Sequence, residues 1–139
     1  MTSLPSCSIL RIPFDFMDGS GYIPKLFVVI GHKDDCAVAF KTTSKLERYG
    51  EKPHLYPGVV FIPGGSPPFT EPTIIDPSNA FAIPHKDIKL EQEQSRIKIW
   101  PSLSGLLQNL CLAIDQNSTL TKTFKSKLKA LAGCLAPPK

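Results

Sequence analysis

The chain has 139 residues, 42% of them hydrophobic and 20% charged, with a formal net charge of +4. That length and apolar content suit one domain with a real core and exclude a disordered chain. No apolar run approaches a membrane span, and the opening MTSLPSCSIL lacks the basic and long apolar regions of a signal peptide.

The charge is uneven. Residues 118–139 hold five lysines and no acid, whereas residues 1–117 hold eleven bases and twelve acids. The body is therefore near neutral, which leaves room for a local cationic cleft but gives no broad nucleic-acid footprint. Cys7, Cys36, Cys111 and Cys134 are widely spaced, and none sits in a C-x-x-C or Cys/His zinc pattern. They could pair in a secreted chain. Without a leader, reduced thiols in a cytoplasm are the simpler expectation. Fourteen prolines, most in the first hundred residues, favour short strands and turns over long helices.

In chain order, residues 8–12 predict a first strand that feeds Phe14 and Phe16. Residues 18–24 form a polar, glycine-bearing loop, which could close over a ligand or serve as a mobile hairpin. Residues 26–30 are a continuous apolar run of buried-strand length, and 31–35 turn the chain. Residues 36–44 alternate. Cys36, Val38, Phe40 and Thr42 fall on one face, and Ala37, Ala39, Lys41 and Thr43 on the other. With the bulkier set turned to the core, Thr43 points outward beside Lys41.

Residues 47–57 are charged and proline-broken, a loop containing His54. A lone loop histidine is either a solvated surface group or a ligand contact. Strands are expected at 59–62, 69–75 and 81–83, with turns at 63–68 and 76–79. Residues 96–100 alternate basic and apolar and could add an edge strand. Beyond Pro101, Leu103, Leu106, Leu107, Leu110, Cys111 and Ile114 recur at helical spacing, with Ser102 as a possible cap. Leu120, Phe124, Leu128 and Leu131 mark a second helix stopped by Gly133. Helices are thus predicted near 102–116 and 119–132. Lys122, Lys125 and Lys129 share its other face, either as a solvated surface or as an RNA contact.

The first part of the chain resembles the MazF/PemK family of bacterial toxins. The resemblance rests on Pro13-Phe14-Asp15-Phe16, Asp18-Gly19-Ser20-Gly21, Lys25-Leu26 before an apolar strand, and Thr43-Ser44 at a strand end. Thr73-Ile74-Ile75-Asp76 echoes a family strand that ends in an acid. It covers about two-thirds of the chain. One departure matters: the family's catalytic arginine stands here as Lys25.

The resemblance implies a single domain over 1–139: a mainly β, small SH3-like barrel over 1–100, also found in the related CcdB family, plus two C-terminal helices over 101–139. It implies a homodimer, a cognate antitoxin and metal-independent, sequence-selective cleavage of single-stranded RNA without a cofactor. Lys25, Thr43 and Asp76 would be catalytic. Ser20, Lys25, Lys41, Ser44 and His54 would contact RNA. In such cleavage the ribose 2′-hydroxyl attacks the adjacent phosphate. The protein removes that proton, stabilises the phosphorane and protonates the leaving 5′ oxygen. Lys25 offers a point charge where arginine offers a planar fork. Asp76 before Pro77 also reads as an ordinary turn residue. Alternatives are a non-catalytic RNA- or protein-binding relative, or a CcdB-like poison of a protein target. No P-loop, dinucleotide fingerprint or G-x-S-x-G elbow is present.

Overall fold

The computed structural model describes residues 4–15, 19 and 21–134. Its strands are β1 (Ile9–Asp15), β2 (Tyr22–Lys33), β3 (Cys36–Thr43), β4 (Val60–Ile62), β5 (Thr73–Pro84) and β6 (Lys98–Trp100). Helix α1 (His85–Glu93) lies between β5 and β6, and α2 (Leu106–Gln116) and α3 (Lys122–Ala132) close the chain. The expectation of a mainly β protein with C-terminal helices therefore holds.

The strands form one antiparallel sheet in the order β4-β5-β3-β2-β1-β6, running from one edge to the other without a closing ladder among the described residues. β2 and β3 join through Asp34 and Asp35, both at positive φ (52° and 61°). That geometry matches the right-handed strand twist of a tight hairpin. β2 is longer than its apolar run predicts, because hydrogen-bonded pairing with β1 carries it back to Tyr22.

Residues 76–79 are not a turn between two strands. They lie inside the continuous β5 as a bulge: Phe40 pairs with Ala80 while Thr42 pairs with Ile75. Asp76 still makes its turn-type contact, its Oδ1 accepting from Ser78 N at 2.9 Å. Turn chemistry here bends a strand without ending it. Helix α1 is a second difference, since residues 85–93 carried no helical expectation. It buries only Ile88 and Glu91, and the Glu91 carboxylate is held by Arg96 at 2.6 and 3.1 Å.

Both sheet faces are covered. On one, Ile9, Val28, Ile30, Phe40 and Ile75 pack with Leu106, Leu110, Ile114 and Leu128 of α2 and α3. On the other, Leu10, Ile12, Phe27, Val29, Ala37, Ala39 and Ile83 pack with Ile88 of α1. Alternate residues of β1 and β2 thus enter two cores, each fully buried aliphatic contributing roughly 1.5–3 kcal/mol. Helix α3 crosses β2 at Gly31, where an added Cβ would lie 2.6 Å from Leu131 O.

Helix α2 begins after Gly105, which adopts a left-handed conformation, so Ser102 is not its cap. Thr121 caps α3, its side chain accepting from Phe124 N at 3.1 Å. Phe124 is 41% exposed and leaves the apolar stripe, whereas Leu128 is buried. Cys111 and Cys134 form a disulfide between α2 and the residue after α3, which corrects the expectation of four reduced thiols. Cys7 and Cys36 are free, and burial pushes the Cys7 thiol above its ordinary range. Among the described residues no helix is long and apolar enough to cross a membrane.

Candidate nucleic-acid interface

At one end of the sheet an open groove of about 980 Å³ brings together Lys25, Lys41, Thr43 and Ser44. These four come from β2, β3 and the residue after β3, which the hairpin holds side by side. The β2–β3 register sets Phe27 opposite Lys41. Continuing it places Thr43 opposite Lys25, so Lys25, Lys41 and Thr43 share a sheet face. The placement of Thr43 beside Lys41 agrees with the alternation read from the sequence.

The groove also gathers residues that sequence reasoning did not select: Arg11, Lys45, Arg48, Tyr49, Glu71 and Trp100. Arg11 pairs with Leu26, and Ile12 with Lys25. Neighbouring cations from β1 and β2 therefore leave on opposite faces, and the groove wraps the end of the sheet. The loop before β5 supplies another wall. Phe69 is buried there, and its backbone closes a tight turn through Phe69 N to Ser66 O at 2.7 Å and Gly65 N to Phe69 O at 3.1 Å.

The lining holds five cations, Arg11, Lys25, Lys41, Lys45 and Arg48, against the single carboxylate of Glu71. Arg11, Lys25, Lys45 and Arg48 make no ion pair among the described residues. An excess of like charges gathered in a concavity raises a positive potential that attracts polyanions.

Hydroxyl groups at the site are partly committed. Thr42 Oγ1 donates to Leu26 O at 2.9 Å, and Thr43 Oγ1 accepts from Lys45 N at 3.1 Å. The second contact fixes the turn that carries Ser44 and Lys45 into the groove.

Asp76 lies behind the groove and does not line it. Its Oδ2 accepts from Tyr49 OH at 3.0 Å. Its Oδ1 accepts from Ser78 N and Oγ at 2.9 and 2.7 Å, and from Asn117 Nδ2 at 3.3 Å. Burial, then the charge and hydrogen bond of Asp76, push the Tyr49 phenol up to about 12. Tyr49 therefore stays a neutral donor, and Asp76 anchors a groove residue from the rear.

His54 is exposed, stands with its ring 6.0 Å from Phe61, and is not among the groove residues. Ser20, together with Phe16 and Asp18 of the expected loop, lies outside the described residues. The other two histidines meet elsewhere: His32 Nδ1 is 2.8 Å from His85 Nε2, and His32 Nε2 is 2.8 Å from Leu4 O. The α3 lysines bound a separate hollow with Asp115, which accepts from Lys129 at 2.7 Å and, through its carbonyl, from Lys125 at 2.8 Å.

No known family model matches the chain, and no curated protein matches it.

Proposed function

We propose that this protein binds single-stranded RNA along the groove and cleaves it without a metal, as a relative of the MazF/PemK toxins with an SH3-like barrel. The observation that carries the reading is the set of four cations, Arg11, Lys25, Lys45 and Arg48, without ion-pair partners in one concavity. A flexible phosphate chain supplies counter-charge to these four cations.

In the cleavage step the ribose 2′-oxygen attacks the adjacent phosphorus, its proton passes to a carboxylate, and the bond to the 5′ oxygen breaks. Glu71 is the carboxylate available for that proton, because both oxygens of Asp76 already accept hydrogen bonds behind the groove. Lys25 donates a proton to the departing 5′ oxygen and is reprotonated from solvent. Arg11 supplies the planar fork that Lys25 lacks and holds the non-bridging oxygens. Thr43 and Ser44 position the phosphate. A homodimer, a neutralising antitoxin that fills the groove and a cytoplasmic site of action belong to the same reading.

A non-catalytic RNA-binding module is the second reading, favoured by the engagement of Asp76 and of the Thr43 hydroxyl. The test is incubation with end-labelled, mixed-sequence single-stranded RNA, with and without a chelator, alongside a binding titration. Chelator-resistant cleavage supports the nuclease. Binding without cleavage supports the non-catalytic module. Absence of binding refutes both and leaves a protein target.

A further inference from the structure

Trp100 is the chain's single tryptophan. It ends β6, where it pairs with Ile9, while Lys98 pairs with Arg11. Antiparallel alternation puts Ile9, Arg11, Lys98 and Trp100 on one face of the sheet. Trp100 packs on the core beneath α2 and α3 yet remains only partly buried and lines the groove. A large flat apolar surface is thus held by the core and left open beside Arg11.

Phosphate contacts leave that surface unused. An indole face is suited to stacking on another flat π-system, and the neighbouring cations strengthen the attraction for a polyanion's bases. Bases within a duplex are already stacked and paired, so only an unpaired base can reach it. We infer that Trp100 is a base-stacking platform: one unpaired base of the bound strand lies on the indole while the flanking phosphates meet Arg11 and Lys98. The inference rests on the RNA-binding reading and adds to it a base-contact position at the β1–β6 end of the groove.

The test uses the full chain and a labelled single-stranded RNA of about ten nucleotides, a length within known single-strand site sizes. An abasic ribose-phosphate strand of equal length is the control. Anisotropy reports binding, and the fluorescence of the sole tryptophan reports contact at Trp100. The RNA should change that fluorescence and the abasic strand should leave it nearly unchanged. Trp100→Leu should weaken RNA binding roughly 5- to 150-fold. It should leave abasic binding intact, which also shows that the variant folds. Trp100→Phe should retain most of the RNA affinity. RNA binding that leaves the fluorescence flat and is equal in wild type and Trp100→Leu overturns the platform while the RNA reading stands. Equal losses for RNA and abasic strand also overturn it, assigning Trp100 a structural role. Failure of wild type to bind either strand removes both readings.

Discussion

Asn117 should prove to be the residue that ties the helical layer to the groove. It caps α2 and is 5% exposed. Its Nδ2 donates to Gly58 O at 3.0 Å and Asp76 Oδ1 at 3.3 Å. Its Oδ1 accepts from Thr119 N at 2.9 Å and Leu120 N at 3.2 Å. Asn117→Ala deletes all four contacts. At about 0.5–1.5 kcal/mol each the sum spans about 2–6 kcal/mol. Thr119 is exposed, Leu120 is half-buried, and Asp76 keeps its other donors, so relaxation places the expected loss near 2–3 kcal/mol. Asn117→Asp keeps the acceptor and shape but loses the donor and sets a second carboxylate against Asp76. Mutual repulsion raises the pair's folded-state pKa above the unfolded value. For such a shift, stability is present below the unfolded pKa and lost as pH rises through the folded pKa. Asn117→Asp should therefore be at least as unstable as Asn117→Ala at neutral pH, and recover near pH of about 4 to 5 as a shared proton restores a donor. Urea unfolding of the three proteins at both pH values decides the matter. An unchanged midpoint for Asn117→Ala, or an Asn117→Asp more stable than Asn117→Ala at neutral pH, would refute the reasoning.

At the groove, four to five phosphate contacts at about 0.7 each predict a slope near −3 for log K against log salt. Arg11→Ala and Lys25→Ala should each reduce its magnitude by about 0.7, and unchanged slopes would remove these residues from the interface. Tyr49, pushed up to about 12, folds as the neutral phenol, so its contribution is intact below its ordinary value of about 10 and lost between about 10 and 12. Tyr49→Phe should flatten that alkaline loss of stability, measured by denaturation midpoints across the window. Leu128→Ala should cost about 2–5 kcal/mol because Leu128 is buried, whereas exposed Phe124→Ala should cost under about 1 kcal/mol. Glu71→Gln should abolish cleavage with stability unchanged, while Asp76→Asn should lower stability; a nuclease indifferent to Glu71→Gln would rule out its role as proton acceptor.

The strand-rich body and the two closing helices were legible because their signals are local. Apolar runs bounded by Gly and Pro marked strands, and stripes at helical spacing marked α2 and α3. What was lost depended on tertiary contact. Asp76-Pro77-Ser78-Asn79 carries turn chemistry, yet pairing on either side with β3 keeps both flanks in one strand. Helix α1 has too few apolar residues to announce itself and is held by Ile88 and the Glu91–Arg96 pair. The spacing of Cys111 and Cys134 says nothing until the α2–α3 packing brings their backbones together.

The same division runs through the site. Lys25, Lys41, Thr43 and Ser44 were indicated by the family resemblance, and they lie together because a single hairpin sets them side by side, with alternation giving Lys25, Lys41 and Thr43 one face. Arg11 reads in sequence as an ordinary polar position between Leu10 and Ile12, and Trp100 as the end of a short edge strand. Only the sheet order, with β1 between β2 and β6, brings the guanidinium and the indole to the groove. Asp76 shows the opposite effect. The family resemblance gave it a catalytic role, but the β5 bulge turns its carboxylate toward Tyr49 and Asn117. Its two oxygens already accept from four donor atoms behind the groove, which holds the carboxylate away from a bound strand. It is well suited to holding Tyr49 in place. The acid that faces the groove is Glu71, which the chain supplies from the loop before β5.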